Sequence, residues 1–151
     1  MKSILLTILN FIIAASTLDI DCEYKFIETK LQDLKLDTID HVKISNRYTC
    51  VADQFLGNDD KNIGAVNGQH LEGLSNVDVR AITFTTIEVS KIPQGLGKVF
   101  PNLMSLSVDD FGLEVIYSSD LRDFKNLTFF SAMGNSFEIL NSDLFINNPK
   151  I

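Results

Sequence analysis

From residue 79 onward the apolar positions of this chain return with a fixed period of 24. Val79, Ile82, Phe84, Val89 and Ile92 recur one period later as Leu103, Leu106, Val108, Leu113 and Ile116, and after a second period as Leu127, Phe130, Ala132, Phe137 and Leu140. Ile151 falls on the start position of a further unit, Phe100 matches Phe124, Leu121 matches Phe145, and Asn102 and Asn126 each stand directly before a new start. Self-similarity at a period of roughly 20–50 residues marks a chain built from stacked units, each too small to bury its own apolar face. Offsets three and five within a unit lie on one side of an extended strand and the residues between them on the other, which predicts one short strand per unit and a parallel sheet of such strands. An amphipathic helix also produces apolar spacings of three and four. However, Pro93, Gly95, Gly97 and Pro101 interrupt the first unit, and Asp109, Asp110 and Gly112 the second, too often for helix.

The spacing follows the pattern LxxLxLxxNxL and resembles the leucine-rich-repeat family over residues 79–151. The resemblance implies a right-handed leucine-rich-repeat solenoid with a parallel β-sheet on its concave side and an irregular, short 3-10 or helical convex side. Its units are 79–102, 103–126 and 127–150, with a fourth opening at Ile151. One departure bears on the turn after the strand. Asparagine fills the ninth position only at Asn135, with Ile87 and Phe111 in the other two units, so the family's ladder of buried amides is expected to be weak.

Residues 17–78 lack the period and are expected to form a β-rich N-terminal cap over the exposed apolar edge of the first unit. Strands are expected at Cys22–Ile27, Lys43–Ala52 and Ile63–His70, turns at Asn58–Asn62 and Asn67-Gly68, and one helical turn around Leu31, Leu34 and Ile39. An early Cys22, Tyr48-Thr49-Cys50, Gly68-Gln69-His70, Asn76-Val77-Asp78-Val79 and Phe100-Pro101-Asn102-Leu103 extend the resemblance, to the small secreted leucine-rich-repeat proteins of insects. That likeness implies an extracellular binding role, linked in some members to immune recognition, and brings no catalytic residues with it.

Residues 1–16 read as a secretory signal: Lys2 is followed by an apolar run from Ile4 to Ala15 and by the small residues Ala14, Ala15 and Ser16. The run is shorter than the ~20 residues a membrane span needs, and Asp19 and Asp21 follow it directly. Secretion changes the reading of the two cysteines, because Cys22 and Cys50 are then expected to form the one available disulfide. Closing the loop between them stabilises the fold by roughly 3 kcal/mol. A reactive thiol or metal pair lacks the neighbouring histidine or second CxxC that it requires.

With 45% hydrophobic and 22% charged residues the chain supports a packed core and is not of disordered composition. The formal charge of −7, with 13 scattered Lys and Arg, argues against nucleic acid and leaves a protein or glycan ligand as the expected partner. No catalytic motif accompanies His41 or His70, so an enzyme is not expected, nor a cofactor. Asn58, Asp60 and Asn62 alternate like calcium ligands, but Gly64 falls one place late and Gln69 stands where the loop needs a bidentate Glu. His70 is expected to be a hydrogen-bonded cap residue and Asn126-Leu127-Thr128 a candidate glycosylation site at Asn126, although Leu127 is itself a core position.

The outward strand positions would form one continuous face, in columns such as Ala81, Ser105, Phe129 and Thr83, Ser107, Ser131. Arg80, Met104, Asp109, Asp110, Phe129 and Met133 are the expected partner contacts, because apolar side chains facing water beside charges resemble an interface. The absence of a polar closing segment after the third unit raises two further expectations: a longer parent protein, or self-association through the open repeat edge as a structural secreted component.

Overall fold

The computed structural model describes residues 17–28, 46–53, 55–56, 62–85, 87–88 and 91–151. The expected signal segment, the helical turn at Leu31, Leu34 and Ile39, His41, residues 43–45 and residues 57–61 lie outside them.

Alternation drives the first strand. In β1 (Leu18–Glu28), Leu18, Ile20, Cys22 and Tyr24 are buried while Asp19, Asp21 and Glu23 face solvent, the two-residue rhythm of a half-buried strand. It begins before the expected start at Cys22. The strand pairs antiparallel with β2 (Asn46–Asp53), with Tyr24 opposite Cys50 and Cys22 opposite Ala52. Cys22 and Cys50 are therefore diagonal neighbours on one face, and the disulfide joins them with Cα atoms 5.2 Å apart. On its other side β1 pairs in parallel with β4 (Ile63–Asn67), which stops short of the expected His70. Gly68 ends it at a φ of +120°, and a Cβ there would collide with the Cys22 carbonyl, so the Asn67-Gly68 turn needs glycine.

From β2 onward the pairing is parallel. β5 (Ala81–Phe84) lies beside β2, then β7 (Ser105–Ser107), then β8 (Phe129–Ser131), giving a six-stranded mixed sheet in the order β4-β1-β2-β5-β7-β8 that does not close into a barrel. Ala81 pairs with Ser105 and Ser105 with Phe129; Ile82 pairs with Leu106 and Leu106 with Phe130. The repeat period of the sequence is thus the register of the sheet. A second parallel pair joins β3 (Phe55–Leu56) to β6 (Ile87–Glu88). Helix is scarce among the described residues: a 3-10 turn at Asn76–Asp78 and one short helix, α1 (Leu96–Val99).

The repeated apolar positions fill the core. Val79, Leu103 and Leu127 are buried, as are Ile82, Leu106, Leu113, Ile116, Leu121, Phe100 and Phe124. Burial of each such side chain contributes about 2 kcal/mol. The third unit, whose strand β8 stands at the edge of the sheet, packs less completely. Phe130, Phe137 and Phe145 are half-buried, and Leu140 is 57% exposed although its counterpart Ile116 is buried. Strand β2 and the first 24-residue unit belong to one continuous sheet, since the Arg80 amide donates to the Tyr48 carbonyl at 2.8 Å and the Thr85 amide to that of Ala52 at 3.1 Å.

Candidate functional site

The side chains of β5, β7 and β8 opposite the core build one open face. Its rows are not equally accessible. Thr49, Ala81 and Ser105, paired side by side, are buried, whereas Phe129 at the end of the row is half-buried; this corrects the expectation that Ala81 and Ser105 face water. Cross-strand neighbours stand only ~5 Å apart, so short side chains are shadowed by longer ones around them. What remains accessible lies at the margins: Met104 and Arg80 are half-buried at one end of the strands, and Met133 is 71% exposed at the other, beside exposed Asp110.

Asp109 has a different part from the one expected of it. Its Oδ2 accepts from Ser107 Oγ at 2.7 Å, and its Oδ1 accepts from Ser131 Oγ at 2.6 Å and from the Met133 amide at 2.7 Å. The carboxylate thus ties β7 to β8 and takes up two hydroxyls of the outward column. Asp110 follows in the left-handed region, φ 56°, with its amide donating to the Met133 carbonyl at 2.8 Å. Gly134 stands opposite at φ +69°, a left-handed conformation that favours glycine because it has no Cβ. The spacing Ser107-x-Asp109, with Ser131 one period after Ser107, carries this signal in the sequence.

Two asparagine positions also organise the units. Asn135 accepts from the Leu113 amide at 2.9 Å and donates Nδ2 to the carbonyls of Val108 and Ala132. Phe111, at the equivalent position one unit earlier, is buried and meets Phe84 edge-on at 5.0 Å, so an apolar contact replaces the amide there. Asn102 Nδ2 donates to the Val77 carbonyl at 2.9 Å, and Asn126 Nδ2 to the Pro101 carbonyl at 3.2 Å, each bond reaching back into the preceding unit or cap. Lys150 Nζ donates to Asn126 Oδ1 at 2.7 Å, so the sequon amide is engaged at both ends. Arg80, Asn102, Met104, Asn126 and Lys150 together line a shallow pocket of about 220 Å³. The Asn102 and Asn126 column is visible in the sequence, but its spacing alone gives it no part in a site.

Behind the cap strands, Tyr24, Tyr48, His70 and Asn76 form a closed polar cluster. The Leu71 amide donates to the Tyr48 hydroxyl at 3.1 Å, leaving that hydroxyl to donate to His70 Nδ1 at 3.0 Å and His70 Nε2–H to donate to Asn76 Oδ1 at 2.9 Å. Tyr24 stacks on His70 with centroids 3.8 Å apart, and its hydroxyl also donates to Asn76 Oδ1, at 3.3 Å. Burial, with the Tyr48 phenol adding to it, pushes the Tyr24 phenol up to about 12. The two phenols and the imidazole N–H each have an acceptor, so the cluster joins β1 and β2 to the 3-10 turn before residue 79.

Among the described residues no group of three or more His, Cys, Asp or Glu is placed to hold a metal ion, and no helix is long and apolar enough to cross a membrane. No protein-family model, curated protein or solved structure matches the chain.

Proposed function

We propose that this chain is an extracellular leucine-rich-repeat binding module that receives a protein or glycan partner on the open face of its sheet. The cap of residues 17–78 and the units from 79 onward would form a short right-handed solenoid with that face on its concave side. The observation that carries the reading is the register: Ala81, Ser105 and Phe129 pair side by side one period apart, so equivalent residues of successive units stand in rows across one surface. The Cys22–Cys50 disulfide fits an oxidising compartment. Met104, Phe129 and Met133 supply apolar contacts at the margins of the face, with Arg80 and Asp110 as charged neighbours. The native secreted protein and a Met104→Ser/Phe129→Ser double variant, used in parallel as baits in the fluid that contains the native protein, test it. One species retained by the native chain and lost by the folded variant is expected; equal retention by both would sink the proposal.

A second reading, self-association as a structural component, is favoured by a different surface. Ile139, Leu140 and Ile146 are exposed on the third unit, close in sequence to half-buried Phe137 and Phe145. Light scattering over a concentration series tests it, and a monomer at all concentrations would exclude it.

A further inference from the structure

The repeat itself builds the pocket lined by Arg80, Asn102, Met104, Asn126 and Lys150. Asn102 and Asn126 hold the same place in successive units, and their bonds to the Val77 and Pro101 carbonyls pin both amides. Lys150 continues the column one period later, with its ammonium held on Asn126 Oδ1 at 2.7 Å. Arg80 enters from the start of the first unit. Its Nη1 donates to the Val77 carbonyl at 2.7 Å and to that of Val79 at 3.3 Å, which positions the guanidinium while leaving Nε and Nη2 as donors.

Neither cation has a carboxylate within ion-pair distance among the described residues, although the chain carries 20 Asp and Glu against 13 Lys and Arg. Held by neutral partners alone, the two cations leave positive charge at the pocket that can attract an anion. The planar Arg80 fork suits a two-oxygen acid group, and Lys150 has ammonium hydrogens to spare beyond the one on Asn126. At about 220 Å³ the pocket is larger than a bare ion needs. Asn102 Oδ1 accepts no hydrogen bond among the described residues and so offers an acceptor for a hydroxyl, while Met104 gives an apolar wall.

We propose that this pocket binds the acid group and ring of an acidic saccharide, with Arg80 and Lys150 on the carboxylate or sulfate and Asn102 on a ring hydroxyl. The proposal rests on the binding-module reading above only in taking this surface to be open to a partner. It is tested without one.

Sodium glucuronate, titrated into the full chain at constant ionic strength, is expected to shift the Asn102 and Asn126 side-chain amide resonances saturably. Acetate should act at the same residues more weakly, and glucose should leave them unmoved. Arg80→Gln and Lys150→Gln should each weaken glucuronate about tenfold, the loss of one charge-assisted hydrogen bond. Lys150 is exposed, so its variant remains a fair test should Arg80→Gln disturb the fold. Glucose acting as strongly as glucuronate, acetate matching it, triglutamate displacing it at lower concentration, or unchanged binding in Lys150→Gln would each overturn the proposal. Phe129→Ser, outside this pocket, should not change the titration, so failure of the partner-binding face and failure of this site are told apart.

Discussion

Ser131 Oγ donates to Asp109 Oδ1 at 2.6 Å across the junction of β7 and β8, a bond between neighbouring repeat units. With the donors from Ser107 and the Met133 amide it makes the carboxylate the clamp of the turn that follows the strands. Asp109→Ala leaves three donors without their acceptor, and hydrogen bonds to charged groups contribute ~1.5–3 kcal/mol each when dry. Asp109 is half-exposed, so water replaces part of that loss and a destabilisation of about 2 kcal/mol is expected in urea unfolding. Asp110→Gly, at an exposed position already in the left-handed region, should change stability by less than about 0.5 kcal/mol. Equal losses in the two variants would refute the clamp.

The same strands separate packing from surface. Leu106 is fully buried between Ile82 and Phe130, and Leu106→Ala should cost ~2–5 kcal/mol. Phe130→Ala should fall at the low end of that range, because Phe130 is only half-buried. Phe129 points to the opposite face, and Phe129→Ser should cost about 1 kcal/mol or less. Thermal melts of the three variants give the order, and Phe129→Ser proving as damaging as Leu106→Ala would mean that β8 is turned over.

The Cys22–Cys50 disulfide spans the antiparallel pair that begins the sheet. Replacing both cysteines by Ala should lower stability by roughly 3 kcal/mol, read from the shift in urea midpoint. Mass spectrometry of the chain should find it two hydrogens heavier after reduction. No mass change would show the cysteines unpaired.

Tyr24 links stability to alkaline pH. Its folded pKa of about 12 lies above the ordinary value of 10.0, so the native state keeps the proton that the unfolded chain gives up. The stabilisation is whole below pH 10 and is lost as pH rises through 12. Tyr24 should give a tyrosinate absorbance step near pH 12 that is missing in Tyr24→Phe. A step near pH 12 that persists in Tyr24→Phe would show that Tyr24 is not the phenol that ionises there.

The repeat period, the pairing of the two cysteines and the buried positions shared by the first two units could be read along the chain because each depends on repetition or on count. Side chains one period apart meet whenever successive strands lie side by side, so the rows Ile82, Leu106, Phe130 and Ala81, Ser105, Phe129 follow from spacing alone. Accessibility within a row does not. Whether Ser105 is open or shadowed depends on the size of its neighbours on the assembled sheet, and Leu140 is exposed where its counterpart Ile116 is buried because their surroundings in the fold differ. The task of Asp109 was decided in the same way, by hydroxyls and an amide that the fold delivers to its oxygens. Most plainly, Arg80 and Lys150 stand at opposite ends of the repeat region, and nothing in their separation points to a shared pocket. Repetition along a chain sets which residues are equivalent. Only the stacked structure sets which inequivalent residues converge, because that depends on how the strands and turns of different units come together in space.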